Sequence, residues 1–154
     1  MRAAAEETAD VVVVHCRRPL SFLAGLLAQL SRQGVRRIRK LVVMSQCGSP
    51  VPTSDLRLLA ETVRVRTSRN VGRCDHAWLK YILDAYDTLA PLTVFIKDSW
   101  GTPSQSLFER LPPEELVRMA LEQGFGCAYQ APEWHSAPTL RQFTMSGYLK
   151  SHDQ

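Results

Sequence analysis

The turn from Asn70 to Arg73 precedes a helical pattern and has the composition of a phosphate-binding turn. Asn70 and Gly72 tolerate a positive φ better than most residues, and the free N–H groups at the start of a helix attract anions. Arg69 and Arg73 add positive charge on either side. These features predict a cradle for a diphosphate or a nucleotide. The alternative is that a strand-to-helix turn needs Asn and Gly only for its geometry.

A second polar group, Lys97, Asp98 and Trp100, follows an apolar strand pattern directly. Asp98 could bind a divalent metal ion that is held by phosphates, although a lone Asp after a strand is also an ordinary turn starter. Lys97 could contact a phosphate. Trp100 could offer a stacking surface, or it could pack in the core.

Other titratable side chains are candidates for the same site. His15 ends the apolar run of residues 11–14, where it could contact a ligand or serve as a structural histidine. Glu133, in the segment APEWHS, could supply a catalytic base if the late chain folds back over the site. Asp75 and His76 fall in the first turn of a predicted helix. There the charge of Asp75 interacts favourably with the helix dipole, whatever the function of the protein.

The order of strand and helix patterns predicts an α/β fold, a three-layer sandwich with a mostly parallel sheet and right-handed crossovers. The helix at 75–89 is predicted to bury Leu79, Ile82, Leu83 and Tyr86. The predicted strands are 11–14, 41–44, 63–65, 92–96 and 125–129, and the predicted helices are 20–33, 54–61, 75–89 and 113–123. Ligands of such sheets usually bind at the carboxyl ends of the strands. The loops at 15–18, 45–48, 68–73 and 97–100 are therefore expected to lie close together.

The composition limits the classes of protein that this chain could be. A chain of 154 residues with 45% hydrophobic content fits one domain, and a formal charge of +4 favours an anionic ligand without the charge density of a nucleic-acid-binding arm. The basic run at 36–40 is predicted to be a solvated loop, and no nucleic-acid partner is expected. No apolar run approaches the ~20 residues of a membrane helix, so the sequence predicts a soluble chain without a membrane segment.

The four cysteines show neither the spacing of a zinc site nor that of a disulfide framework. Buried thiols are the interpretation that this spacing favours.

The segments VVVVHCRRPLSFLAGLL, KLVVMSQCGSP and NVGRCDHAWLKYILDAYDTLAPLTVFIKD together resemble nucleotide-sugar glycosyltransferases of the GT-A type. The last of them is similar to a segment of an uncharacterised family of glycosyltransferase-like domains. The resemblance covers roughly residues 11–98. It implies a glycosyltransferase-like domain over 11–135, with a flexible terminus at 1–10 and a tail at 136–154.

The resemblance also implies a set of functional residues. His15, Cys16 and Arg17 would lie by the base or ribose of a nucleotide sugar, and the turn from Asn70 to Arg73 would lie by its diphosphate. Lys97, Asp98 and Trp100 occupy the place of the metal motif, with Asp98 as the ligand of Mn²⁺ or Mg²⁺ and Glu133 as the base that deprotonates an unknown acceptor. The second carboxylate of that motif is missing here, which favours the alternative of a noncatalytic binding module.

Overall fold

The computed structural model describes residues 7–71, 73–100, 109–110, 113–124, 126 and 129–130. Within these residues the elements are β1 (Glu7–His15), α1 (Phe22–Arg32), β2 (Val35–Ser45), α2 (Thr53–Leu56), β3 (Thr62–Thr67), α3 (Arg73–Ala85), a 3-10 turn (Tyr86–Thr88), β4 (Leu92–Lys97), β5 (Glu109–Arg110), α4 (Pro113–Gln123) and β6 (Tyr129–Gln130). None of the helices in the described part is long and apolar enough to cross a membrane.

Four strands form one parallel sheet in the order β3-β2-β1-β4. The chain therefore moves outward from β1 to β3 and then crosses back to β4, which makes the boundary between β1 and β4 the point where the strand order reverses. The predicted α/β class and parallel sheet are confirmed, and β3 lies at one edge of this sheet. The short strands β5 and β6 form a separate antiparallel pair.

Two hydrophobic clusters cover the two faces of the sheet because successive side chains of a strand point to opposite faces. Val11 and Val13 of β1 face the cluster that contains α1, α2 and α4. Val12 and Val14 face the cluster that contains α3. Gly34 takes a positive φ of 96° just after α1, as expected for the glycine that ends this helix.

The buried face of α3 differs from the predicted one. Leu79, Leu83 and Tyr86 are 61%, 77% and 71% exposed, so the predicted apolar stripe was wrong. The helix instead packs on the sheet through residues that are mostly small: Cys74, Ala77, Tyr81 and Ala85. Small side chains allow the helix to approach Val12 and Val14 closely, and this packing decides the orientation more than the size of the apolar residues does.

The basic run at 36–40 lies inside β2, which corrects the prediction of a solvated loop. Arg39 reaches the fully buried Asp10 of β1 with two hydrogen bonds, Nε to Oδ1 at 2.9 Å and Nη2 to Oδ2 at 2.6 Å. The Tyr81 hydroxyl donates a third bond to Asp10, at 3.2 Å. β1 begins at Glu7, where it pairs with Val35 of β2, so the strand extends into the range 1–10 that was predicted to be flexible.

Candidate ligand-binding site at the carboxyl edge of the sheet

The four loops that follow the parallel strands meet at one edge of the sheet, as predicted. Gln46 donates its backbone N–H to the carbonyl of His15, and Ser68 donates to that of Ser45, both at 2.9 Å. Asp98 donates its backbone N–H to Val14, also at 2.9 Å. These bonds continue the ladders of the sheet by one step, so the loops start from fixed positions.

Cys16 and Cys47 form a disulfide bond, which corrects the prediction of buried thiols for these two residues. The register of the sheet pairs His15 with Ser45, and the two cysteines follow these residues closely on neighbouring strands. Their Cα atoms are 4.8 Å apart, within the usual range for a disulfide. The bond joins the loop after β1 to the loop after β2. Cys74, by contrast, is a buried free thiol, as predicted.

Asp98 organises the loop that leaves β1. Its Oδ2 atom accepts backbone N–H groups from Cys16 at 2.8 Å and from Arg17 and Arg18 at 3.1 Å each. Three donors on one carboxylate oxygen form a strong, charge-assisted arrangement. Asp98 is therefore a structural anchor across the boundary between β1 and β4.

A cleft of about 150 Å³ opens at this same boundary, on the α3 side of the sheet. We call it the switch-point cleft; apart from Val14, it is lined by Cys16, Gln46, Asn70, Cys74, Lys97 and Asp98. Four of the predicted site residues thus come together: Cys16, Asn70, Lys97 and Asp98. Open parallel sheets bind ligands in the crevice at such a point.

The polar atoms of the cleft come from separate elements. Asn70 is exposed, and its amide nitrogen lies 4.0 Å from Sγ of Cys47. Lys97 is the last residue of β4 and pairs with Val14 in the register, which directs its side chain to the α3 face. The cleft therefore combines the cation of Lys97 with two amide side chains and the Asp98 carboxylate.

Burial raises the pKa of the Cys74 thiol above its ordinary value of 9.0, and the positive charge of Lys97 acts in the opposite direction. The thiol lies in the first turn of α3 and donates to Oδ1 of Asp75 at 3.4 Å. Cys74 is therefore a neutral thiol at ordinary pH.

Other predicted site residues lie elsewhere. His15 and Arg17 line a different cavity, on the α1 side of the sheet. Trp100 packs against the hydrophobic cluster on that same side, which is the core-packing alternative. His76 is exposed in the first turn of α3.

Three further residues were predicted for the site. Gly72 and Glu133 lie outside the described residues, and Arg73 is described only as the first residue of α3. Their predicted roles, including that of Glu133 as a base, stay predictions.

The described residues do not by themselves form a metal site. Among them no group of three or more His, Cys, Asp or Glu side chains is arranged to hold a metal ion. The Oδ2 atom of Asp98 is also taken up by three N–H groups.

No family model, curated protein or solved structure matches this chain. The residues of the cleft therefore carry the functional argument.

Besides Val14, two residues of the cleft, Gln46 and Cys74, were not among the predicted site residues. Gln46 lies in one of the four loops that were expected to converge, so the loop was identified but its contributing side chain was not. Cys74 lies in the first turn of α3, and its side chain packs in the hydrophobic cluster on the α3 side of the sheet. Its position became clear only once the buried face of α3 was known.

Proposed function

We propose that the switch-point cleft binds the diphosphate group of a nucleotide sugar. The observation that carries this proposal is the convergence of Asn70, Lys97 and the loop of Cys16 on one cleft where the strand order reverses. Lys97 supplies a cation for the phosphate oxygens, and the Asn70 amide supplies a hydrogen-bond donor. The start of α3, next to Asn70 in the chain, adds the positive end of a helix dipole.

The size of the cleft limits which part of the ligand it encloses. Sites that bury a whole drug-sized ligand usually measure about 300–1,000 Å³, whereas this cleft measures about 150 Å³. In the proposed complex the cleft holds the diphosphate, and the nucleoside and the sugar extend along its open rim. The resemblance in sequence to glycosyltransferases of the GT-A type is what selects a nucleotide sugar among diphosphate ligands.

Two functions are compatible with such a cleft. Glycosyl transfer would need a base for the acceptor hydroxyl, for which Glu133 is the proposed residue, and a group that stabilises the departing diphosphate, for which Lys97 is in place. Binding without transfer uses Lys97 in the same way but does not need the base. The three backbone N–H groups on Asp98 Oδ2 favour binding without transfer, because they leave only Oδ1 of this carboxylate for a metal ion.

Thermal unfolding in the presence of a panel of nucleotide sugars tests this proposal, with each ligand measured with and without Mn²⁺. We expect at least one ligand to raise the melting temperature of the wild-type protein, and the variant Lys97→Met to lose most of that increase. Lys80→Met is the matched control, since Lys80 is an exposed lysine on α3 outside the cleft. A panel in which no ligand stabilises the protein would contradict the proposal.

A dependence of the stabilisation on Mn²⁺ would support the predicted metal. Release of the free sugar or of a glycosylated product would then separate transfer from binding alone.

A further inference from the structure

A second, larger cavity lies on the opposite side of the sheet edge from the switch-point cleft. It measures about 560 Å³, within the range of sites that enclose a small metabolite. We call it the α1 cavity; the residues that carry the argument are His15, Arg17, Arg18, Ser21, Asp55 and Leu59. The cavity lies between two parts of the chain. One is the loop after β1 with the start of α1, and the other is the segment 49–59. This position follows from the alternation in β1, since His15 continues the face of Val11 and Val13.

His15 gives the first sign that the α1 cavity has a ligand. The side chain is only 4% exposed and lines the cavity, and its Nδ1 atom has no hydrogen-bond partner in the described part of the chain. A buried polar group without a partner costs about 1–3 kcal/mol. Such groups are rare in folded proteins, and a small rotation of the ring towards the adjoining cavity would let a ligand there become the partner of this imidazole.

The start of α1 gives an independent sign. Ser21 has helical dihedral angles, φ −58° and ψ −26°, and makes no side-chain capping hydrogen bond. The Leu20 carbonyl accepts the N–H of Leu23 at 3.0 Å, so the helix effectively begins at a leucine, whose side chain cannot cap it. The first N–H groups of this 11-residue helix therefore lack side-chain acceptors, and they lie beside the cavity at the positive end of the dipole.

The charges around the α1 cavity favour an anion at one end. Arg17 and Arg18 are exposed, and neither guanidinium forms an ion pair with the residues that the structure describes. Their backbone N–H groups are held by Asp98, which fixes where the two side chains start and also places one negative charge behind this loop. Asp55 is the acidic residue of the cavity lining itself.

The opposite wall of the α1 cavity is mostly apolar, with one acidic side chain. Leu56, Leu59 and Pro50 provide apolar surface there, and Asp55 provides acceptors for hydroxyl groups. A ligand with an anionic end and a hydroxylated, partly apolar remainder would match both walls.

We infer that the α1 cavity binds a phosphate monoester of a hydroxylated small molecule. The phosphate lies at the start of α1, between His15 and the two arginines, and the hydroxyl groups lie near Asp55. This inference is independent of the nucleotide-sugar proposal, because the two sites share no lining residue and lie on opposite faces of the sheet.

Titration of the ¹⁵N-labelled protein with ribose 5-phosphate, followed by NMR, tests the inference. Inorganic phosphate and ribose, which correspond to the two parts of this probe, are titrated separately for comparison. We expect ribose 5-phosphate to bind more tightly than inorganic phosphate, and ribose alone not to bind. The amide signals of Ser21, Phe22 and Leu23 should shift, whereas those of Asn70 and Lys97 should not.

Two variants sharpen the test. Arg18→Gln removes a charged donor and is expected to weaken binding by about tenfold or more. Ser21→Glu places a carboxylate where the phosphate would lie, which should abolish binding without unfolding the protein, since an acidic residue in the first turn stabilises a helix. Arg32→Gln is the matched control, because it removes one arginine charge at the far end of the same helix.

Three outcomes would overturn the inference. They are the absence of saturable shifts at residues 21–23, shifts confined to Asn70 and Lys97, and equal weakening by Arg18→Gln and Arg32→Gln, which would indicate attraction by net charge alone. Failure of the nucleotide-sugar proposal would leave this result unchanged, because it is detected at different amides with a different ligand.

Discussion

The Oδ2 atom of Asp98, just after β4, lies 2.8 Å from the backbone nitrogen of Cys16, just after β1. The same oxygen accepts the N–H groups of Arg17 and Arg18. A residue that the sequence suggests as a metal ligand thus holds the loop between the two cavities. The position of both candidate sites depends on this carboxylate.

Replacement of Asp98 by Ala is expected to lower the free energy of unfolding by about 2 kcal/mol, since it removes three charge-assisted hydrogen bonds from a partly exposed loop. Asp98→Asn should lose less because an amide oxygen can still accept. Urea denaturation measures both values. Asp87→Ala, at an exposed aspartate in the 3-10 turn, is the control and should change the free energy by less than about 0.5 kcal/mol. Equal losses at positions 98 and 87 would show that Asp98 is not an anchor.

The buried carboxylate of Asp10 makes a second prediction possible. Arg39→Met leaves Asp10 without its cationic partner and should destabilise the fold by about 3–5 kcal/mol. Arg37→Met is the same substitution on the same strand, but Arg37 pairs with Glu61 at the surface, so it should cost less than about 1 kcal/mol. Denaturant titration of both variants measures the difference, and similar losses would contradict the account of Asp10 as a buried, paired charge.

The disulfide between Cys16 and Cys47 should stabilise the protein against unfolding. It closes a loop with a sequence separation of 31 residues, for which the chain-entropy model gives about 3–4 kcal/mol. Cys47→Ser is expected to lower the free energy of unfolding by up to this amount. Adding a thiol reductant should destabilise the wild type and the Cys74→Ser variant, but not Cys47→Ser. A wild-type protein whose stability does not respond to reductant would refute the bond.

The raised pKa of the Cys74 thiol predicts that the stability of the protein decreases at alkaline pH. Its pKa is higher in the folded protein than in the unfolded chain because burial disfavours the thiolate. The folded state therefore retains a proton that the unfolded chain loses above about pH 9, so the stabilising contribution is complete below that pH and declines as the pH rises through the folded pKa. Cys74→Ala should remove this part of the decline above about pH 9, measured by urea unfolding at several pH values. An unchanged pH profile would count against a shifted thiol.

Titration of Tyr81 also changes the stability at high pH, so the contribution of Cys74 is measured below the pH at which Tyr81 ionises. Burial, reinforced by Asp10, raises the pKa of its phenol above 10.0. A further loss of stability above about pH 10 therefore belongs to Tyr81, and it should be absent in Tyr81→Phe.

The sequence predicts the strand order less directly than it predicts the strands. The apolar runs around Val11 to Val14 and Leu41 to Met44 indicate buried strands because both of their faces are covered by helices. Their parallel arrangement follows from the alternation with helices, and the meeting of the polar loops at one edge follows from the parallel arrangement. Asn70, Lys97 and Asp98 are therefore expected at one edge of the sheet from the sequence alone.

The details that the sequence does not reveal depend on register and on close packing. The disulfide depends on the register that pairs His15 with Ser45, because this pairing brings the loops of Cys16 and Cys47 side by side. The orientation of α3 is decided by how closely Ala77 can approach the sheet, whereas its large apolar residues suggested another face.

The sequence alone could have predicted that the nucleotide-binding residues divide between two cavities. Alternation along β1 assigns His15 to the face of Val11 and Val13, and the next residue, Cys16, turns towards the other side. The prediction considered only that His15 and Cys16 lie at the end of one strand, and not which face of the sheet each one points to. It therefore assigned the residues of two sites to one.

The central claim is that the switch-point cleft binds the diphosphate of a nucleotide sugar. Its most direct test is an NMR titration of the wild-type protein with the nucleotide sugar that stabilises it most, in which the amide signals of Cys16, Gln46, Asn70 and Lys97 are followed. The account predicts saturable shifts at these four residues, retained in Lys80→Met and lost in Lys97→Met. Shifts that avoid them, or that persist unchanged in Lys97→Met, would contradict it.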